Sequence, residues 1–343
     1  MRRWLVAVLL CCGSAIGPAW GSSTGGCSWL AIDARLAAHC HAQRLRTQTL
    51  TRPDAIAIIQ RLRAQGIATR VAGLEQSAYF SRHRLSPFVG WSDNLNGGNA
   101  RDSLTLGTMA LVLDPERARI SGPEVGVQYT GALAYPVTDT LAARGSASVK
   151  ISQGRGEITR GADVRGCLDQ QLGNHALMGC VDARGQDQRW SDSHDQTASV
   201  TLTRFVHARL SIDATASALR GDDDSAASTL AITLNTLGPK WSTRTRISAG
   251  HHDRGDTPAL KRGVSFDASR TLATGRGLQV SLDWRRADGG QVLGVPYGYR
   301  DRAVQVGWVD RRWGQLSLGW LSRASDIDYF RSHTPSLRFS SPL

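Results

Sequence analysis

The alternation of apolar and polar residues between positions 264 and 321 constrains the fold more than any other feature of the chain. Val264, Phe266 and Ala268 are apolar and the residues between them are polar, and the same period returns at 278–284, 304–308 and 316–320. A period of two places alternate side chains on opposite faces of a β-strand. These segments therefore predict strands with one apolar face and one polar face.

The connections between these strands distinguish two kinds of sheet. A soluble sheet could cover its apolar face with a core, but here short turns alternate with long polar loops. That combination is typical of a transmembrane β-barrel, with lipid outside and water or polar side chains inside. The alternation begins near residue 85 and gives about fourteen strands, an even count that returns the chain to the periplasm. The sequence predicts an all-β membrane fold, an antiparallel transmembrane β-barrel over residues 85–343 with a small N-terminal helical segment.

Residues 1–21 have the pattern of a signal peptide. Arg2 and Arg3 precede an apolar stretch, and small residues follow where cleavage would occur. A lipoprotein signal that uses Cys11 or Cys12 is the alternative. After this segment, no apolar run approaches the roughly 20 residues that a membrane helix needs. The sequence therefore predicts export, and the barrel predicts the outer membrane of a Gram-negative bacterium as the destination.

Residues 22–84 are predicted to form a small periplasmic helical segment. One helix is expected within 29–46, and a second begins near Pro53 and ends at Gly66, because Pro is tolerated in a first helical turn and Gly ends helices. Two helices cannot bury a large core alone, so support from the barrel is expected. The segment could bind a client or partner, or it could plug the barrel mouth.

The chain is strongly basic, with 41 Lys and Arg against 29 Asp and Glu and a formal net charge of +12. In a soluble protein this balance would suggest nucleic acid or an anionic surface as partner. In an outer-membrane barrel, the cations fit lipopolysaccharide phosphates or an anion-tolerant lumen, and a solvated basic surface is the alternative. Outer-membrane lipids are therefore the expected partner, and nucleic acid is not.

Four cysteines remain after the predicted cleavage, namely Cys27, Cys40, Cys167 and Cys180. An exported chain meets an oxidising compartment, so disulfides are expected. Pairing between sequence neighbours would give Cys27–Cys40 and Cys167–Cys180, although four cysteines permit three connectivities. The second pair lies in the stretch 166–193, which is predicted to be an irregular surface loop. The cysteines lack zinc-site spacing, and no metal or cofactor is expected.

The polar face of the clearer strands predicts the side chains that line the lumen. These candidates are Lys150, Asp213, Arg244, Arg246, Asp267 and Asp283. Arg244 and Arg246 lie on the same face of one strand and could form a basic ladder for an anionic solute. Alternatively, they pair with the Asp residues of other strands and carry no solute.

Five tryptophans lie near predicted strand ends and are expected to form the aromatic girdle at the membrane interfaces. They are Trp91, Trp241, Trp284, Trp308 and Trp320. A sugar-stacking role is the alternative. Two His/Asp clusters, at 194–195 and 251–253, could suggest metal or hydrolase chemistry. They lack an identifiable nucleophile, base and orienting residue, so no catalytic activity is expected.

Two short segments resemble a known group of barrels. The sequence SPFVGWSDNLN at 86–96 resembles the first strand of the surface lipoprotein assembly modifiers, and it is also similar to some exopolysaccharide export porins. Residues 324–330 are similar to the last surface loop of that group. The resemblance implies a C-terminal barrel that helps proteins or polymers reach the cell surface. Two features depart from the group: only two predicted helices, within 28–66, replace its helical-repeat domain, and Leu343 stands where an aromatic residue is usual.

Three functions follow as expectations for a monomeric, non-catalytic barrel. The first, implied by the resemblance, is translocation or surface display of a protein or polymer, with a lipoprotein client or an exported polymer as partner. The second is passive diffusion of small anionic solutes. The third is a surface receptor or adhesin that binds through the predicted loop at 166–193.

Overall fold

The structure is a computed structural model, and it describes residues 27, 32–47, 56, 80–99, 101–106, 108–138, 140–222, 224–273, 275–310 and 312–340. Among these residues, one helix of several turns is described, α1 (Ala34–Thr47). The strands in chain order are β1 (Phe80–Ser92), β2 (Ser103–Leu106), β3 (Met109–Val112), β4 (Gly122–Pro136), β5 (Leu141–Gly154), β6 (Glu157–Leu172), β7 (His175–Gln188), β8 (Ser191–His207), β9 (Leu210–Gly221), β10 (Ala226–Leu237), β11 (Trp241–Arg254), β12 (Ala259–Ala273), β13 (Arg276–Val292), β14 (Val295–Asp310), β15 (Gly314–Ser325) and β16 (Ser332–Ser340).

Parts of the N-terminal prediction lie outside the described residues. The predicted signal peptide at 1–21 is among them, and so is most of the second predicted helix, of which only Ile56 is described, as helical. The first predicted helix, within 29–46, corresponds to α1. Among the described residues, no helix has the length and hydropathy of a membrane span.

Fourteen strands, β1 and β4 to β16, form a closed antiparallel barrel, which confirms the predicted fold class. Each strand pairs with its neighbour along the chain, and Phe88–Gly90 of β1 pair with Arg338–Ser340 of β16 to close the circle. Strand β1 begins and β16 ends at the same end of the barrel, here called the turn end. The opposite end, the loop end, carries the long connection 93–121 between β1 and β4.

The burial pattern of the barrel is the reverse of that of a soluble protein. On β8 and β10, Val200, Leu230 and Ile232 are 53 to 67% exposed, whereas Thr201 and Asn235, whose side chains point inward, are 6% and 1% exposed. Apolar side chains thus cover the outside and polar side chains fill the inside. This distribution is stable only if hydrocarbon surrounds the barrel. The chain is therefore an outer-membrane β-barrel, with the turn end on the periplasmic side.

The predicted loop at 166–193 was wrong. This stretch contains the end of β6, the whole of β7 and the start of β8, which are joined by two-residue connections at 173–174 and 189–190. The outward face of β7 includes Gly179 and Gly185 and ends at Asp187, so its two-residue period is weak in the sequence. A surface receptor that uses a loop here is therefore contradicted.

The apolar stretch Leu104–Val112 was counted among the fourteen predicted barrel strands, and this was also wrong. Strands β2 and β3 form a separate hairpin inside the connection 93–121. Leu104 and Leu106 are apolar because they pack on Ile327 in another connection at the loop end, not because they face lipid. The strand count was right because this error offset the omission of β7. Strand β1 begins at Phe80 and not near residue 85.

Candidate functional site

Helix α1 lies inside the barrel at the turn end. Leu36, Ala37 and Cys40 cluster with Phe205 and Leu237, which point inward from β8 and β10 close to the ends of these strands. The ring of His39 stacks on Phe205 with the ring centroids 4.3 Å apart. Helix α1 therefore occupies part of the lumen, and the role of the N-terminal segment as a plug stays a prediction.

Local interactions fold this segment before it meets the wall. Asp33 caps the helix, because its Oδ1 accepts a hydrogen bond from the backbone N–H of Leu36 at 2.7 Å. Ala, Leu and Arg, which are good helix formers, predominate in the turns that follow. A disulfide joins Cys27, which precedes the helix in the chain, to Cys40 in its middle.

An ionic network joins the helix to the barrel wall. Nη2 of Arg244 donates to Oδ2 of Asp33 at 3.0 Å and to the carbonyl of Ile32 at 3.1 Å, and Arg35 lies 3.6 Å from Oδ2 of Asp213. Asn235 links the two pairs, since it accepts from Nε of Arg244 at 3.0 Å and donates to Asp213 at 2.8 Å. Paired charges at partly buried positions hold the helix in one orientation.

The connection 93–121 contacts the wall at two separated places near the loop end. The backbone N–H of Trp190 donates to the carbonyl of Asn96 at 3.0 Å, which joins the connection to the β7–β8 turn. Arg101 pairs with Asp328 in the β15–β16 connection. The connection therefore spans from one part of the barrel mouth to another, and it narrows the entrance.

Charged and hydroxyl side chains of β11 to β15 line a cavity of about 430 Å³ between the two ends. Its polar residues are Arg246, Ser248, Ser265, Asp283, Arg285, Tyr299, Asp301 and Arg323. Nε of Arg285 bonds Asp283 at 2.6 Å, and Arg323 makes two bonds of 2.8 Å to Asp301. The guanidinium of Arg323 also lies 3.9 Å from the ring centroid of Tyr299.

Arg246 differs from the other two arginines of this cavity. Within the described part of the chain, no carboxylate forms an ion pair with it. The three arginines and two aspartates of the lining leave one positive charge in excess. The cavity thus offers an uncompensated guanidinium to a solute, between walls whose other charges are already paired.

The structure places the remaining lumen candidates in different surroundings. Lys150 lies 3.4 Å from Glu124 and 4.8 Å from the ring centroid of Phe88, and Asp213 and Arg244 contact the helix segment as described. Asp267 is opposite Arg244 in the β11–β12 register, yet Arg244 bonds Asp33. The alternative in which Arg244 pairs with an aspartate of another strand is not what the structure shows, because its guanidinium binds Asp33 beside the helix.

Several lumen residues were missed because the stretch between Trp284 and Val304 was interpreted as a loop. Strands β13 and β14 extend through most of it and carry Arg285, Tyr299 and Asp301 inward. The sequence carries no alternation there, since Arg286 is on the outward face and Ala287 is on the inward face. Arg323 was missed because β15 extends beyond the alternation at 316–320.

The five tryptophans all lie on the outward face. Trp241 and Trp308 belong to one row across the strands near the turn end, through Arg270 and Leu278. Trp91 and Trp284 lie nearer the loop end, and Trp320 lies one row closer to the middle than Trp284. Their role as an interfacial girdle stays a prediction.

Both sequence-local disulfides are present. The Cys167–Cys180 pair joins β6 and β7 at directly opposed positions and points into the lumen, rather than bridging a surface loop. The clusters at 194–195 and 251–253 lie in β8 and β11, not in loops. Among the described residues, no three His, Cys, Asp or Glu side chains are grouped as a metal site.

Comparisons with known proteins return outer-membrane channels at low similarity. The outer membrane channel DcaP of Acinetobacter baumannii is 10% identical, with a TM-score of 0.43, over 80% of this chain and 100% of that chain. A BenF-like porin from Pseudomonas fluorescens Pf-5 is 8% identical, with a TM-score of 0.39, over 77% of this chain and 99% of that chain. No protein-family model and no curated protein matches the chain. Similarity at this level carries no argument about the solute.

Proposed function

We propose that the protein is an outer-membrane channel that lets small anionic solutes diffuse across the membrane. The observation that carries the proposal is the exposed guanidinium of Arg246 in a cavity whose other charges form ion pairs. A solute anion that leaves bulk water needs a compensating charge, and Arg246 supplies one without breaking an existing pair. The hydroxyl of Ser265, which also lines the cavity, adds a donor beside it.

The paired charges have a different role in this proposal. Because Arg285 and Arg323 are held by Asp283 and Asp301, they keep their positions while a solute passes. One uncompensated charge attracts an anion without retaining it for long, as diffusion through a channel requires. The excess positive charge disfavours cations of the same size.

Translocation of a folded protein or a thick polymer has less support. Helix α1 occupies the turn end and the connection 93–121 contacts two parts of the loop end, so the free space is suited to a small solute. The interpretation as an assembly modifier rests on the two short sequence segments alone. No described residue adds a client-binding surface to it.

Liposome swelling with three solutes of equal chain length tests the proposal. Gluconate, sorbitol and N-methylglucamine are respectively anionic, neutral and cationic at neutral pH. We expect gluconate to enter fastest, and we expect Arg246→Gln to reduce its advantage over N-methylglucamine about fivefold, since a charge at a water-filled site contributes about 1 kcal/mol. Arg270→Gln, the same change on the outward face, is the control and leaves the order unchanged. Equal entry of all three solutes would overturn the proposal.

A further inference from the structure

A row of arginines crosses the outer surface of the barrel near the loop end. Arg262 of β12 is opposite Arg286 of β13, which is opposite Arg300 of β14, so the three share the outward face that carries Trp284. Neighbouring strands are about 4.8 Å apart, so the row is about 10 Å long. Arg302, opposite Trp284, adds a fourth guanidinium one row closer to the middle of the membrane.

This arginine row lacks the carboxylates that accompany other arginines on the outward face. Near the loop end elsewhere, Arg160 lies 3.8 Å from Asp187 and Arg220 lies 3.2 Å from Asp224. Within the arginine row, among the described residues, only Arg286 has an ion pair, with Asp288 at 3.4 Å.

The carboxylate of Asp288 is shared between two cations. Asp288 also binds Lys261 at 2.6 Å, so two cations compete for it. Arg262 lies over the ring of Trp284, 5.6 Å from its centroid, which orients the guanidinium but does not neutralise it. Like charges directly opposite each other on a sheet are destabilising, so the arginine row gains stability from an anion that the chain does not supply.

An apolar groove of about 1090 Å³ lies beside the arginine row. Small outward residues of β7 to β11 line it, among them Gly179, Ala198, Ala216 and Ala249. The groove and the arginine row are adjacent, since Ala249 of the groove is opposite Arg262 of the row on the neighbouring strand. Strands in such barrels are tilted by about 40°, so the groove descends from the arginines into the apolar band.

We propose that the arginine row and this groove bind lipopolysaccharide of the outer leaflet, with its phosphates on the arginines and an acyl chain in the groove. One guanidinium group can donate two parallel hydrogen bonds to two oxygens of a phosphate, and this geometry suits a site at the membrane interface. The row lies toward the loop end, which faces the outer leaflet. Four guanidinium groups over this length match a headgroup with two phosphates better than a single phosphodiester.

Titration of the folded full-length protein in detergent with fluorescent lipopolysaccharide tests this site. We expect Arg262→Gln/Arg300→Gln to weaken binding about 30-fold, because each basic residue at an anionic membrane surface contributes a factor of about five. Arg204→Gln/Arg270→Gln removes the same charge from outward positions near the turn end. This control should change the affinity less than about twofold, since it leaves the row intact.

Two lipid probes test the headgroup without any variant. Wild-type protein should bind dephosphorylated lipopolysaccharide and phosphatidylglycerol more weakly than intact lipopolysaccharide, by at least about tenfold. Equal binding of intact and dephosphorylated lipopolysaccharide would overturn the proposal, and so would equal losses in the two double variants. Tight binding of phosphatidylglycerol would show that a single phosphate is enough and would also contradict it. Both double variants are checked for heat-modifiable gel mobility, which reports a folded barrel.

Discussion

Arg244 of β11 binds Asp33, the residue that caps the N-terminus of the lumenal helix. Nη2 of Arg244 lies 3.0 Å from Oδ2 of Asp33. The other oxygen of the same carboxylate, Oδ1, caps the helix through the N–H of Leu36. One carboxylate therefore starts α1 and attaches it to the wall. Loss of this residue would affect both the helix and its position in the lumen.

Separate substitutions can distinguish these two roles of Asp33. Asp33→Asn keeps an oxygen for the cap but weakens the bond to Arg244, whereas Asp33→Ala also removes the cap, at a cost of about 1 kcal/mol. We expect the single-channel conductance to be lowest in the wild type, higher in Asp33→Asn and highest in Asp33→Ala. The helix leaves its position more often as its attachment weakens. Arg276→Ala breaks an ion pair with Asp310 at the turn end that does not involve the helix, and should leave conductance unchanged. An Ala variant with wild-type conductance would contradict the attachment.

The two disulfides should differ in their effect on conduction. Cys27→Ser/Cys40→Ser frees the segment before α1, so we expect larger and noisier currents, and a reductant should produce the same change in the wild type. Cys167→Ser/Cys180→Ser removes a bond between strands that are already paired in register, so we expect currents like those of the wild type. Bilayer recordings with and without reductant measure this. Equal currents through the two double variants would contradict a role for the Cys27–Cys40 disulfide in restraining the segment before α1.

The β2–β3 hairpin should detach when its apolar contacts are removed. Leu104 and Leu106 are 9% and 8% exposed and pack with Ile327. We expect Leu104→Ser/Leu106→Ser to make the Arg-rich connection 93–121 sensitive to trypsin added outside intact cells. Val112→Ser, at a position that is 88% exposed, is the control and should stay resistant. Resistance of the double variant would show that other contacts hold the hairpin.

Phe88 should contribute more to stability than its neighbour on the same strand. Its ring points inward, is 3% exposed, and lies below Lys150 and Arg338 at 4.8 and 4.6 Å from its centroid. We expect Phe88→Ala to lower the free energy of unfolding by about 3–5 kcal/mol, through lost burial and an open cavity. Val89→Ala, on the outward face, should cost about 1 kcal/mol. Denaturant unfolding from lipid vesicles measures both, and similar values for the two would contradict the inward packing.

Local pattern was enough to predict the barrel but not the content of its lumen. Segments such as 278–284 repeat with a period of two, and this period depends only on neighbours in the sequence. Strand β7 was missed because Gly179 and Gly185 interrupt its apolar face, and Leu104–Val112 was misassigned because apolar residues of a folded connection look like those of a strand. Both errors have the same physical cause, because a residue's preference for a strand depends on the neighbours that it packs against as well as on the residue itself.

The position of α1 depends on contacts that no local pattern contains. Asp33 and Arg244 are 211 residues apart, so their contact appears only in the folded chain. The sequence identified Arg244 and Arg246 as two lumen residues of one kind. In the structure Arg244 binds Asp33 and Arg246 lines the cavity. The two arginines differ because the helix segment contacts Arg244.

The reversal potential across a planar bilayer that contains the purified protein, in a gradient of KCl, tests the central claim most directly. A barrel with an apolar outer face and one uncompensated arginine in its cavity predicts steady currents, with a reversal potential on the chloride side of zero. Arg246→Gln should move that potential toward zero, and Arg270→Gln should not. A reversal potential on the potassium side of zero would show cation selectivity and would contradict the account. The absence of any current from folded protein would contradict it as well.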